Sequence, residues 1–182
     1  AAAPMFKKLS LELGGKNPNI VFEDADFDNA VKMAVKAAFS NQGQICLCGS
    51  RLFVQESIYS DFRSAIIDET HKLKVGDPKD DNNNLGAIVS KEHMVKILGC
   101  IEQAKQEGGE IITGGNRLIL DGDLKEGYYI EPTIIDGLSV DCKTNHEEIF
   151  GPVVSMISFK TEEEVIDMAN STKYGLSASL FS

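Results

Sequence analysis

Phe39-Ser40-Asn41-Gln42-Gly43-Gln44-Ile45-Cys46-Leu47-Cys48-Gly49-Ser50-Arg51 is the stretch from which the fold is read. Behind it, Phe27, Ala30, Val31, Ala34, Val35, Ala38 and Phe39 recur at helical spacing, and Asp26 stands where an N-cap belongs. Ahead of it, Arg51-Leu52-Phe53-Val54 has the continuous apolar character of a strand buried on both faces. A helix thus hands over to a strand through a polar joint, and the helix is expected to stop near Gly43. Cys46 sits in that joint, where the backbone can bend tightly and offer free N–H groups. A structural cysteine belongs more often inside an apolar run.

Working outward, Lys8 to Leu13 alternates as a strand would, ending at Gly14-Gly15. Asn19-Ile20-Val21-Phe22 is a short buried strand. Ser57 to Leu73 makes a second helix, with Ile58, Phe62, Ala65, Ile66 and Leu73 on one face. Val75 to Asn84 is a solvated connector. Ser90 caps a third helix through Glu107, with Val95, Leu98, Ile101 and Ala104 inward. Glu110 to Thr113 and Tyr128 to Ile135 read as extended, Pro132 marking an edge or an irregularity in the second. Val153 to Phe159 is a strand, Thr161 caps a helix through Asn170, and Ala178 to Phe181 is a last strand. Strands alternating with helices, without internal repeat, predict one α/β domain built on a largely parallel open sheet with helices on both faces.

The chain has 182 residues, enough to bury a core, and its 42% hydrophobic and 25% charged residues are those of a globular protein. A net charge of −10 disfavours nucleic acid and anionic membrane surfaces as partners. No apolar run reaches the roughly 20 residues of a membrane span, and no basic-then-apolar leader is present. The opening Ala1-Ala2-Ala3-Pro4 reads as a cut end. Cys46 and Cys48 are too close for an ordinary structural disulfide, Cys100 and Cys142 stand in unrelated contexts, and His71, His93 and His146 lack zinc-site spacing. Free thiols and no metal fit a reducing compartment, the cytoplasm or the mitochondrial matrix.

Phe39-x-x-x-Gly43-Gln44-x-Cys46 followed by Ser50-Arg51 resembles the active-site signature of the NAD(P)-dependent aldehyde dehydrogenase superfamily. Leu11-Glu12-Leu13-Gly14-Gly15-Lys16-Asn17-Pro18 is similar to that family's glutamate motif, and Glu147-Glu148-Ile149-Phe150-Gly151-Pro152-Val153 to its nicotinamide-side motif. The resemblance extends over essentially the whole chain and implies the family's catalytic domain, residues 1–182. The cofactor-binding domain and the oligomerisation strands then lie outside this sequence, and the parent is expected to be a homodimer or homotetramer. Ile45-Cys46-Leu47-Cys48 and Lys8 to Glu12 look like the branch acting on hydroxymuconic or aminomuconic semialdehydes.

The chemistry so implied needs a nucleophile, because a plain carbonyl has no hydride that departs easily. By resemblance Cys46 is the nucleophile and Glu12 the base, provided partial burial lifts the carboxyl pKa toward neutrality. The Cys46 N–H supplies one oxyanion donor, and the family's second donor, an asparagine, lies upstream. Glu148 holds the ribose hydroxyls as a double acceptor, Phe150 packs by the nicotinamide, and Leu13 and Gly14 line the same pocket. A helix C-terminus ahead of Cys46 opposes thiolate formation, so activation comes from a base, loop N–H donors or the cofactor. Cys48 is a bystander, Arg51 a loop anchor, and Lys16 pairs locally. The expected activity is oxidation of an aldehyde to a carboxylic acid through a cysteine thioester. The alternative is a chain inactive as a dehydrogenase, either a slow thiol esterase or an inert structural module.

Overall fold

The computed structural model describes residues 3–182, so Ala1 and Ala2, from the stretch read as a cut end, lie outside it. Its elements, in order, are β1 (Pro18–Val21), α1 (Phe27–Phe39), β2 (Arg51–Gln55), α2 (Tyr59–Thr70), α3 (Lys91–Gln106), β3 (Glu110–Thr113), β4 (Arg117–Leu118), β5 (Tyr129–Ile130), β6 (Thr133–Asp136), α4 (Lys143–His146), β7 (Val153–Phe159), α5 (Glu162–Ala169) and β8 (Ser179–Phe181). The main sheet has the order β3-β6-β7-β2-β1-β8. All its pairings are parallel except that of β3 with β6, and β4 and β5 form a separate small ribbon.

Strand alternation divides the core. Val21, Leu52, Val54, Val154 and Met156 face α1 and α2 on one side. Ile135 and Val153 face α3, and Phe53, Ile157 and Phe159 face α5, on the other. Helices therefore cover both faces, as parallel strands require. Asp26, Ser90 and Thr161 all cap their helices, each side chain accepting the third residue's N–H.

Two expectations need correction, and a third is resolved. Lys8 to Leu13 joins no strand: Leu9, Leu11 and Leu13 are exposed, because an alternating segment becomes a strand only when it pairs, and it pairs with none of the described strands. In α3 the buried stripe is Met94, Ile97, Ile101 and Ala104, while Val95 points outward. Both stripes are helical in period and share two residues, so packing against β6 and β7 chose between them. Pro132 marks the irregularity, one of its two expected roles. It interrupts the extended run between β5 and β6, and β6 is interior.

Candidate functional site

Three loops converge at the amino ends of the parallel strands: Lys16-Asn17 entering β1, Cys46 to Ser50 entering β2, and Glu148 to Pro152 entering β7. Open α/β sheets usually place ligands beyond the carboxyl ends. Here the short loops before the strands carry the chemistry-bearing residues.

α1 stops at Phe39, earlier than expected, because Ser40 returns its N–H and its Oγ to the Lys36 carbonyl. Asn41, Gln42 and Gly43 follow at φ 50°, 56° and 67°, three successive left-handed residues that reverse the chain. Gly43 is not the helix's terminal glycine. A Cβ there would collide with the Gly151 carbonyl oxygen, so it is where the thiol loop and the loop before β7 touch. The Asn41 amide donates to the Gln44 carbonyl (3.1 Å), the Cys48 N–H to the Ile45 carbonyl (3.0 Å) and the Gly49 N–H to the Ala37 carbonyl (3.1 Å).

Asn17 clamps this loop from the β1 side. Its buried Nδ2 donates to the carbonyls of Cys46 (2.7 Å) and Cys48 (2.9 Å), and its Oδ1 accepts the Ser177 N–H at 3.3 Å. The two thiols consequently differ. Cys46 is half-buried, whereas Cys48 is buried with its Sγ 3.9 Å from the Ser40 carbonyl, and burial pushes its thiol pKa up. Arg51 is the anchor expected: its guanidinium donates to the carbonyls of Lys16, Met168 and Ala169, the last two at the open end of α5. Lys16 is buried and makes no ion pair among the described residues, contrary to the expected local pairing. Burial, with Arg51 beside it, lowers its pKa to about 8.

On the opposite wall, Glu148 Oε1 accepts the Gly15 N–H at 3.0 Å. Gly14 lies against the same carboxylate, since a Cβ there would collide with Oε2. Phe150 holds a left-handed φ of 61°, strained for an aromatic residue. His93 Nε2 lies 2.6 Å from its carbonyl oxygen, and Lys96 Nζ donates at 3.3 Å to the carbonyls of Glu148 and Ile149.

All six residues singled out from the sequence, Glu12, Leu13, Gly14, Cys46, Glu148 and Phe150, line one cleft of about 360 Å³, to which α3 adds His93 and Lys96. Glu12 is exposed on this chain, so the partial burial expected of the base is not supplied by these residues. Sequence reasoning missed Asn17, His93 and Lys96. The i, i+3 spacing of His93 and Lys96 was the available signal, obscured by the misregistered α3 face. Among the described residues no group of three or more His, Cys, Asp or Glu could hold a metal ion, and no helix is long and apolar enough to cross a membrane.

A family model described as "Aldehyde dehydrogenase family" matches residues 1–182. Mouse 2-aminomuconic semialdehyde dehydrogenase is 46% identical over 100% of this chain and 38% of its own length. Zebrafish 4-trimethylaminobutyraldehyde dehydrogenase A is 44% identical over 99% of this chain and 36% of its own. Betaine aldehyde dehydrogenase from Staphylococcus aureus, solved in complex with NAD+, superposes with a TM-score of 0.93 at 44% identity, covering 100% of this chain and 36% of that one. The chain therefore spans little more than a third of the length of these relatives.

Proposed function

The chain belongs to the aldehyde dehydrogenase family, and we propose accordingly that it is the thiol-bearing catalytic domain of an enzyme that oxidises an aldehyde to a carboxylic acid with NAD(P). The observation that carries this is the convergence of Cys46, Glu12, Glu148 and Phe150 on one cleft from segments far apart in sequence.

The Cys46 sulfur, deprotonated, attacks the aldehyde carbon and forms a C–S bond, leaving a thiohemiacetal oxyanion. The Cys46 N–H has no acceptor among the described residues and is free to meet that oxyanion. A nicotinamide bound beside Glu148 and Phe150 would supply the hydride acceptor, so that the oxyanion could collapse with loss of hydride from carbon and leave a thioester on Cys46. Glu12 takes the thiol proton and passes it to solvent; later it takes a proton from the water that attacks the thioester carbon and returns it to the leaving sulfur as the C–S bond breaks, which releases the acid and regenerates the thiol.

The nicotinamide riboside end of the cofactor fits the wall opposite the thiol. Glu148 Oε2 accepts from no donor among the described residues and suits a ribose hydroxyl, the missing side chain of Gly14 leaves room for that carboxylate, and Phe150 offers an aromatic rim. Ile45 and Leu47 flank the nucleophile with apolar side chains. Relatives named for two different aldehydes are almost equally similar, so the substrate proposed is the aldehyde group, with aminomuconic-type semialdehydes the first to assay. A homodimeric or homotetrameric parent and a reducing compartment, cytoplasm or mitochondrial matrix, complete the proposal.

The test is the rate of Cys46 alkylation by iodoacetamide across pH, with Cys48 as internal control and Glu12→Gln as comparison. Fast, selective labelling of Cys46 that slows in Glu12→Gln supports the assignment. Equal, slow labelling of both thiols would overturn it and leave the inert module as the reading of this chain.

A further inference from the structure

We propose that Glu148 has a second role, as the latch that positions Glu12 relative to Cys46, with its two carboxylate oxygens divided between latching and ribose binding. The proposal deepens, and rests on, the roles given to Cys46, Glu12 and Glu148 above.

Oε1 accepts the Gly15 N–H across 133 residues of sequence, and Oε2 sits against the bare face of Gly14. The other side of the same turn meets the thiol loop, because a Cβ on Gly15 would stand 2.8 Å from the Cys46 carbonyl oxygen. Two residues further, Asn17 holds that oxygen at 2.7 Å. Gly14 to Asn17 is thus a bar wedged between the Glu148 carboxylate and the backbone of the nucleophile. Glu12 stands two residues before the bar, on an exposed segment that joins no sheet among the described residues. Its direction is set where the segment enters the bar, and there the Glu148 carboxylate supplies a charge-assisted hydrogen bond.

The latch has a rigid mount. Lys96 holds the Glu148 and Ile149 carbonyls and His93 the Phe150 carbonyl, both from the 16-residue α3. Only a carboxylate presents two acceptor oxygens, one for the turn and one for a hydroxyl of the ribose. A cofactor engaging Oε2 leaves the latch closed. A ligand drawing on both oxygens loosens Gly15 and with it the base.

The test combines hydrogen exchange at the Gly15 amide with Cys46 alkylation by iodoacetamide, each with and without Glu12→Gln. In Glu148→Ala the Gly15 amide should exchange about tenfold faster, the order expected for losing one hydrogen bond to a charged acceptor. The Phe53 amide in β2 should be unchanged, and Glu12→Gln should no longer affect alkylation. Glu148→Gln, whose amide oxygen can still accept the Gly15 N–H, should restore both. Gly14→Ala, which leaves Glu148 in place but crowds Oε2, should reproduce the alanine phenotype if Glu148→Ala unfolds the loop. Unchanged Gly15 exchange in Glu148→Ala and Gly14→Ala would overturn the latch, as would failure of Glu148→Gln to restore it. If Glu12→Gln has no effect on alkylation even with Glu148 present, the base assignment falls, while Gly15 exchange still reports on the latch.

Discussion

The thiol loop and the glutamate segment face each other across one cleft and are built in opposite ways. Residues 40–50 are tied by backbone bonds, by the two donors of Asn17 and by the left-handed run ending at Gly43, and Arg51 fastens the strand that follows. The segment before Gly14 shows solvent its leucines, with Leu9 58%, Leu11 68% and Leu13 60% exposed. The nucleophile's place is therefore intrinsic to this domain. The base's place hangs on the turn at Gly14-Gly15 and on whatever else covers those leucines.

Five substitutions put that contrast at risk. The largest effect is expected from Cys46→Ser, which should lower any hydrolysis of p-nitrophenyl acetate by the proposed nucleophile about a thousandfold or more. Residual turnover within tenfold of the parent, followed by nitrophenolate release, would move the nucleophile elsewhere. Gly43→Ala comes next, at about 4 kcal/mol, since it combines a left-handed φ with a clash against Gly151. Urea unfolding measures it, and a cost under about 1 kcal/mol would mean the two loops are not wedged together.

Lys16 lies beneath the rigid side of the comparison. Its folded pKa of about 8 is below its unfolded 10.5, so the unfolded chain binds more protons between those values. Stability from this group is therefore lowest below about pH 8 and rises toward pH 10.5, by about 3 kcal/mol at most. Urea midpoints at pH 7.5 and 9.5 should climb in the parent and stay level in Lys16→Met, which should also be the more stable at pH 7.5. Parallel curves for the two proteins would contradict the burial of this charge. Asn17→Ala should cost about 2 kcal/mol by stranding the Cys46 and Cys48 carbonyls, and should narrow the difference in alkylation rate between the two thiols. A variant that keeps both stability and selectivity would show the clamp to be dispensable.

Glu12→Gln should have the smallest effect, slowing Cys46 alkylation about fivefold. That falls short of the hundredfold or more of a fully placed general base, because Glu12 is exposed here. A hundredfold effect would erase the contrast, placing the base as firmly as the thiol.

Much of this was legible in the residues themselves. The caps Asp26, Ser90 and Thr161, the strand Val153–Phe159 and the helix–thiol–strand joint follow from local chemistry, whereas the six residues that line the cleft are picked out by the family resemblance of their motifs. These signals survive without tertiary structure because a cap, a buried strand and a polar turn are each written within a few neighbouring residues. What needed the folded chain was every pairing across sequence. Gly43 looked like a helix terminator until the Gly151 carbonyl came to occupy the place of its missing Cβ. Lys8 to Leu13 had the period of a strand but pairs with none of the described strands. The choice between Val95 and Met94 depended on which stripe of α3 met β6 and β7. Periodicity states what a segment can bury, and only the neighbour that arrives decides what it does bury.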